Sequence, residues 1–178
     1  MSGPIETIRV LDMSRIFAGP WAGQLLSDLG AEVIKVERPE GGDDTRMWGP
    51  PFVPDSQGRQ TRETGYFMCV NRGKKSITVN LSDPKGQRLI RELAARSDVV
   101  LENYKPGTLA RFGLGWEDLK KVNPRLVYCS ITGFGQDGPY RDRPAYDFVI
   151  QAMGGLMSFT GEREDRPGGG PMKVGVAI

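Results

Sequence analysis

The residues best suited to chemistry are concentrated between Ile131 and Asp147, in the sequence ITGFGQDGPYRDRPAYD. This segment combines glycines and prolines with arginine, aspartate and tyrosine side chains, and it follows an apolar run that starts at Leu126. In open α/β sheets, ligands bind outside the carboxyl ends of the strands. The segment is therefore either one wall of a ligand site or an ordinary loop between a strand and a helix.

The chain contains no histidine. Within these residues this excludes Ser-His-Asp and Cys-His catalysis, histidine-ligated zinc and imidazole acid–base chemistry. Any reaction here has to use carboxylates, lysine, arginine, tyrosine or backbone groups. Two adjacent carboxylates occur in GGDDTR (41–46), but no third ligand is suitably spaced. We predict no metal site and interpret these charges as solvated loop residues.

Three further sequence features are ambiguous as ligand sites. Asn71, Arg72, Lys74 and Lys75 form a basic cluster before a strand, which is either a phosphate site or a solvated turn. Tyr104 follows another strand and either stacks on a ligand or packs under the next helix. The turn SRIFAGPW (14–21) lacks the glycine fingerprints of dinucleotide and ATP sites. The helix that follows it can still present backbone N–H groups to an anion.

Composition excludes several classes of protein. The net charge is +2 without a basic tract, which argues against nucleic-acid binding. No apolar run reaches the roughly 18 residues of a membrane span. The first residues, MSGPIETIRV, have no leader pattern, so we expect a cytoplasmic protein. Cys69 and Cys129 lie in apolar runs and are predicted to be buried thiols rather than a disulfide.

Apolar runs of strand length alternate with segments of helical periodicity, which predicts an α/β class with a mostly parallel sheet. Residues 38–65 are rich in glycine, proline and charge and are predicted to form a long surface excursion. The predicted strands span 8–13, 32–37, 76–81, 98–103, 125–132 and 173–178, and the predicted helices start at Pro20, after Asp83, and at 108, 116 and 148. Because the last strand, KVGVAI, is apolar and uncovered, we expect an N-terminal piece of a longer protein.

Several segments together resemble the class III CoA-transferases, the group of formyl-CoA transferase, carnitine CoA-transferase and α-methylacyl-CoA racemase. They are VLDMSRIFAGPWAGQLLSDLGAEVIKVERPEGGDDTR, VNRGKKSITVNL, VVLENYKPGTLARFGL, GFGQDGPYRDRPAYD, and QAMGGLMSFTG together with PMKVGVAI. The resemblance implies a Rossmann-like large domain with helices on both faces of the sheet, a small domain, and two interlocked chains in a homodimer. It also implies that residues 1–178 are the N-terminal part of the CoA-binding large domain and that the small domain lies outside them.

The same resemblance implies a set of coenzyme A contacts. The backbone at Phe17 and Ala18 is expected near the thioester and Arg38 near the nucleotide. The remaining contacts are the adenosine residues Val79, Asn80 and Leu81, the pantetheine residues Asn103, Tyr104 and Lys105, and Arg111. Two residues of this chain differ from the family pattern, which weakens the assignment of individual contacts. Ser82 stands where the family often has lysine, and Phe17 stands where formyl-CoA transferase has glutamine.

The implied reaction moves CoA from an acyl-CoA donor to a carboxylic acid, expected to be a dicarboxylate, through an aspartyl intermediate. The nucleophilic aspartate is expected immediately beyond Ile178, with Tyr146 in a supporting role. Coenzyme A is then a substrate, and no prosthetic group is expected. Racemases carry histidine at the position of Tyr146, and tyrosine is a weak base at neutral pH, which favours a transferase. The alternatives are an acyl-CoA racemase and an inactive CoA-binding fragment.

Overall fold

A computed structural model describes residues 3–175, except for the side chain of residue 62. The chain divides into two compact units, Met1–Ile131 and Thr132–Ile178. In chain order the elements are β1 (Arg9–Asp12), α1 (Ala18–Asp28), β2 (Glu32–Glu37), β3 (Phe52–Pro54), β4 (Gln60–Thr64), α2 (Gly65–Cys69), β5 (Lys75–Thr78), α3 (Pro84–Ala94), β6 (Val99–Glu102), α4 (Trp116–Val122), β7 (Val127–Ser130) and α5 (Asp147–Met153).

The first unit contains a five-stranded sheet in the order β5-β2-β1-β6-β7. Every neighbouring pair in this sheet is parallel. The chain moves outward from β1 to β2 and β5, and then returns to the other side of β1 for β6 and β7. This is the doubly wound order of a Rossmann-like fold, in which the ligand crevice forms where the order reverses, here between β1 and β6.

Side chains alternate between the two faces of the sheet, as the pleat of a strand requires. Leu11 and Val100 belong to the larger core cluster, which includes Ile90 and Ala94 of α3 and Leu119 of α4. The neighbours Val10 and Leu101 belong to a second cluster with Ala22 and Leu26 of α1 packed against it. Helices therefore cover both faces, and the predicted α/β architecture is confirmed.

Local signals explain where the helices begin and end. Asp83 caps α3 by accepting a hydrogen bond from the Lys85 N–H at 2.8 Å, and Pro84 occupies the first turn. Helix α1 ends before Gly30, whose φ of +106° suits glycine. The predicted strands at 8–13, 32–37, 76–81, 98–103 and 125–132 are all present, most of them shorter by one or two residues at an end.

The surface excursion at 38–65 carries more structure than its composition suggests. It contains a 3-10 helix, Asp44–Met47, and an antiparallel hairpin of β3 and β4. The Thr64 hydroxyl donates to the Thr45 carbonyl at 2.6 Å, and Arg46 Nη1 pairs with Glu63 at 2.5 Å. These contacts join residues 17 to 19 positions apart, which is why local sequence pattern did not predict them.

The second unit is built around α5. The helix starts one residue before the predicted start and ends at Met153, and a separate 3-10 turn follows at Leu156–Ser158. Gln151 Oε1 accepts a hydrogen bond from the Val174 N–H at 2.9 Å. The strand predicted at 173–178 is not seen at 173–175, and residues 176–178 lie outside the described part of the chain.

The cysteine prediction was partly wrong. Both thiols are free, but Cys69 is exposed and Cys129 is only partly buried. The short helix α2 buries Phe67, and its thiol-bearing last residue faces outward. No helix within residues 3–175 is long and apolar enough to cross a membrane.

Candidate functional site

Three strands of the parallel sheet end in a buried carboxylate at the same edge. β1 ends in Asp12, β2 in Glu37 and β6 in Glu102, and each residue is at most 6 % exposed. A buried carboxylate is stable only when it is hydrogen-bonded or paired. The partners of these groups therefore determine how the loops above the sheet are held.

Asp12 is paired with Lys74. Lys74 Nζ lies 2.8 Å from Asp12 Oδ2 and also donates to the Pro20 carbonyl at 2.7 Å. Burial lowers the pKa of Lys74, and the Asp12 charge opposes that shift. The other oxygen of Asp12 accepts hydrogen bonds from the N–H and the hydroxyl of Ser14. This pair therefore fixes both ends of the turn that leads from β1 into α1.

A second buried pair holds the middle of the same turn. Lys35 Nζ lies 2.9 Å from Asp43 Oδ2 and donates to the Ser14 carbonyl at 3.1 Å. Asp43 accepts the N–H of Ile16, a non-glycine residue with a φ of +70°. Burial alone would raise the pKa of Asp43, but the Lys35 charge and the Thr45 hydrogen bonds lower it. The interpretation of Asp43 as a solvated loop charge was therefore wrong.

Glu37 anchors the excursion. Its carboxylate accepts two hydrogen bonds from Arg46 at 2.8 Å and one from the Ser76 hydroxyl at 2.6 Å. The Asp43 N–H adds a fourth at 2.8 Å. Burial alone would raise the pKa of Glu37, but these donors lower it to about 2. The carboxylate is therefore charged and rigid across the physiological pH range.

Glu102 differs because it has no cationic partner among its described contacts. Its carboxylate accepts hydrogen bonds from the Tyr104 N–H at 2.8 Å and from the Ser130 side chain. Burial raises its pKa, and the two hydrogen bonds oppose the shift. Glu102 thus fixes the start of the loop after β6 and leaves Tyr104 beside the crevice.

A pocket of about 200 Å³ opens above β2, β5 and β6. Five of the residues that the family resemblance implied line it together, namely Arg38, Val79, Asn80, Leu81 and Tyr104. The other lining residues are Arg15, Val36, Glu37, Pro39, Gly42, Asp43, Ser82 and Phe112. The fold therefore brings together positions up to 97 residues apart along the chain (15 to 112) at the carboxyl edge of the sheet.

The pocket combines an apolar wall with cationic groups. Val79 is 5 % exposed and belongs to the larger core cluster, against which Leu81, Tyr104 and Phe112 pack. The Arg15 guanidinium lies 4.8 Å from the centre of the Tyr104 ring. Burial raises the pKa of Tyr104, so its phenol is neutral. An aromatic ring beside two arginines suits a planar base that carries phosphate groups.

The other predicted contacts do not line this pocket. Phe17 precedes the first turn of α1, with its ring 5.7 Å from the Trp21 ring, and Ala18 begins the helix. The Asn103 side chain is bonded to the backbone of Arg15. Lys105 and Arg111 are exposed in the segment that follows β6. Tyr146 belongs to the second unit, where it precedes α5 and is 70 % exposed.

Sequence reasoning missed Arg15, Gly42 and Phe112 as pocket residues. Arg15 carried a usable signal, because it follows the first strand of a βα unit at the expected reversal point. The solvated-turn interpretation of the basic cluster fits the exposed Arg72 and Lys75 but not the buried Lys74, and the phosphate interpretation stays a prediction. Lys74 pairs with Asp12, Arg72 with Asp28 at 2.5 Å and Lys75 with Glu32 at 2.6 Å. These cations bind carboxylates of the protein itself.

A second hollow of about 310 Å³ is apolar and open, and is lined by Trp48, Pro50, Pro51, Gly65, Tyr66 and Cys69. It contains no charged side chain. Within residues 3–175 no three histidine, cysteine or carboxylate residues are grouped as metal ligands would be. Of these two hollows, the first pocket is therefore the one that carries charged side chains.

Comparison with known proteins identifies the family of the chain. The family model of CoA-transferase family III matches residues 5–178. The chain is 54% identical over 175 residues to the succinate–glutarate CoA-transferase of Agrobacterium fabrum, covering 98% of this chain and 42% of that protein. It is 53% identical to the human succinyl-CoA:glutarate CoA-transferase, covering 98% of this chain and 37% of that one.

Solved structures give the same result. A CAIB/BAIF family protein from Brucella suis superposes with a TM-score of 0.90 at 53% identity, covering 99% of this chain and 45% of that one. Rv3272 from Mycobacterium tuberculosis superposes with a TM-score of 0.83 at 41% identity, covering 99% of this chain and 46% of that one. The chain thus spans less than half the length of these relatives. On the family match and these similarities, the chain belongs to the class III CoA-transferases.

Proposed function

We propose that the full-length protein is a CoA-transferase that moves CoA from an acyl-CoA donor to a dicarboxylate acceptor. The observation that carries this proposal is the pocket above β2, β5 and β6. Arg38, Asn80 and Tyr104, which the family resemblance implied as coenzyme A contacts, line that one pocket. Residues 1–178 then form the N-terminal part of the CoA-binding large domain, and the small domain lies outside them.

The binding role follows from the chemistry of the pocket. The apolar wall at Val79 and Leu81 suits the adenine ring, and the guanidinium of Arg38 suits phosphate. The turn before α1 presents the N–H groups at Phe17 and Ala18, which lie at the start of a helix and suit the thioester carbonyl. Asn103, Lys105 and Arg111 follow β6 and are proposed to contact the pantetheine arm and the phosphates.

The reaction is proposed to use an aspartate outside residues 1–178, with Tyr146 in a supporting role. The carboxylate attacks the thioester carbonyl of the donor, which gives a mixed anhydride and free CoA thiolate. The thiolate then attacks the aspartyl carbonyl, releases the donor acid and leaves an aspartyl-CoA thioester. The acceptor carboxylate reverses these two steps. Atoms and charge balance without a prosthetic group.

The substrate proposal comes from named relatives. Proteins that are 54% and 53% identical to this chain are named for transfer between succinyl-CoA and glutarate. Relatives at 45% and 43% identity are named for citramalate and malate acceptors. Succinyl-CoA as donor and glutarate as acceptor are therefore the first pair to test.

We also propose an interlocked homodimer in the cytoplasm. The family resemblance supports the assembly, and the two unpaired thiols, Cys69 and Cys129, suit a reducing compartment. Light scattering of the full-length protein at several concentrations tests the assembly. A mass of two chains at all of them supports the dimer, and a mass of one chain contradicts it.

The direct test of the reaction follows label from glutarate into glutaryl-CoA, with the full-length protein and succinyl-CoA. We expect exchange that depends on both substrates. Absence of exchange with a panel of dicarboxylates, together with release of the α-proton of an acyl-CoA into solvent, would instead identify a racemase.

A further inference from the structure

The pocket arginines share one carboxylate of the protein. Asp44 Oδ1 lies 2.7 Å from Arg38 Nη2, and Asp44 Oδ2 lies 3.7 Å from Arg15 Nη1. Both arginines line the pocket, and they reach it from different strands, Arg15 after β1 and Arg38 after β2. One aspartate thus joins the two cationic groups on this side of the pocket.

The contact occupies two guanidinium groups that line the pocket. A carboxylate that bridges two guanidinium groups uses the same donors that arginine offers to phosphate oxygens. The side chains are partly open to solvent, at 51 % for Arg38, 41 % for Arg15 and 31 % for Asp44. These ion pairs are therefore weak enough to exchange.

Arg15 forms only a long ion pair with Asp44, at 3.7 Å. Arg15 Nε is buried and has no hydrogen-bond partner among the described residues. A buried N–H without an acceptor is unfavourable, so a ligand oxygen that reached it would gain a hydrogen bond. The Tyr104 ring beneath the guanidinium limits the directions from which that oxygen can approach.

We propose that Asp44 is an internal competitor for the phosphate groups of the ligand at Arg38 and Arg15. This inference rests on the proposed function, because it assumes that the ligand is a CoA thioester. A ligand phosphate has to displace or share the Asp44 contacts, so Asp44 lowers the affinity of the pocket and helps product CoA to leave. Removal of its charge strengthens binding.

The test is calorimetric titration of the full-length protein with coenzyme A, comparing the wild type with Asp44→Asn. We expect the dissociation constant of the variant to fall roughly threefold to tenfold, by analogy with the small energies of exposed ion pairs. The difference should shrink at high salt, because salt screens the competing charge. Asp44→Ala serves as a second variant with the same expected direction.

Asp55→Asn is the matched control. Its side chain is 29 % exposed and pairs with Arg59 at 2.8 Å in the hairpin, and it does not line the pocket. We expect its affinity for coenzyme A to stay within twofold of the wild type. Unchanged or weaker binding in both Asp44 variants, with wild-type binding intact, would overturn the inference. Absence of binding in the wild type would overturn the proposed function instead.

Titration of the same variants with dephospho-coenzyme A shows which phosphate competes with Asp44. A gain in affinity shared by coenzyme A and dephospho-coenzyme A would assign the competition to the diphosphate. A gain limited to coenzyme A would assign it to the 3′-phosphate. Either result supports the inference, and a gain with neither ligand contradicts it.

Discussion

The side chain of Asn103 holds the backbone of Arg15 through two hydrogen bonds. The Arg15 N–H donates to Asn103 Oδ1 at 2.8 Å, and Asn103 Nδ2 donates to the Arg15 carbonyl at 2.7 Å. The two residues are 88 positions apart and follow β1 and β6, the strands between which the sheet order reverses. The asparagine amide offers a donor on its nitrogen and an acceptor on its oxygen, which match these two backbone groups.

The substitution Asn103→Asp should therefore keep one of these hydrogen bonds and remove the other. The carboxylate still accepts from the Arg15 N–H, but it faces the Arg15 carbonyl without a donor. We expect a loss of about 1–3 kcal/mol in the free energy of unfolding and weaker binding of coenzyme A, because Arg15 lines the pocket. Urea denaturation and calorimetric titration of the full-length protein measure the two effects. Wild-type values for both would mean that the pair does not position the crevice.

Arg38→Ala is expected to weaken coenzyme A binding by about tenfold to a hundredfold, the usual effect of losing a charge-assisted phosphate contact. Arg59→Ala is the control, because Arg59 pairs with Asp55 and does not line the pocket. Titration of both variants decides the point. Equal affinities for the two would place the nucleotide elsewhere.

Lys74→Met is expected to lower the free energy of unfolding by about 3–5 kcal/mol, because it leaves the Asp12 carboxylate buried without its cation. The neighbouring Lys75 offers a matched control, since it also pairs with a carboxylate but its side chain is 71 % exposed against 1 % for Lys74. Lys75→Met should cost at most about 1 kcal/mol. Chemical denaturation of both variants of the full-length protein measures the two losses in the free energy of unfolding. Similar losses would contradict the prediction that the buried pair contributes more than the exposed one.

Glu37 should contribute an acid-dependent part of the stability. Its folded pKa of about 2 lies below its ordinary value of 4.5. The contribution is therefore fully present above pH 4.5 and is lost as the pH falls towards 2. The upper limit of this contribution to stability is about 3 kcal/mol, because each unit by which the pKa is lowered corresponds to about 1.36 kcal/mol.

Glu37→Gln provides the comparison. The variant should be less stable than the wild type at pH 7, and the difference between them should narrow between pH 4.5 and pH 2. Unfolding midpoints in urea across this range measure the difference. A difference that stays constant with pH would show that the Glu37 charge is not the source of the stabilisation.

The strands were predictable because each has apolar residues in a short stretch between turn residues, as Val33, Ile34 and Val36 are within Glu32–Glu37. Helix α3 was predictable from its cap at Asp83 and from Pro84. The order of the strands is a tertiary property, and only the alternation of strands and helices pointed to it. The hairpin of β3 and β4 was not predicted, and it is joined to the rest of its unit through Thr45 and Arg46, which lie outside it.

The site was predictable only in part, for the same reason. Local pattern singled out Tyr104, because it follows a strand, but Arg38 and Asn80 came only from the family resemblance. The roles of Asp43 and Lys74 depend on partners 8 and 62 residues away, Lys35 and Asp12, so local composition suggested solvated charge. Buried ion pairs of this kind are visible only when the sheet brings its strand ends together.

The central claim is that the pocket above β2, β5 and β6 holds the nucleotide of coenzyme A. A crystal structure of the full-length protein with coenzyme A tests it most directly. The account predicts the adenine against Val79 and Leu81, with a phosphate oxygen within hydrogen-bonding distance of Arg38. A nucleotide bound elsewhere, with Arg38 still paired only to Asp44, would contradict it.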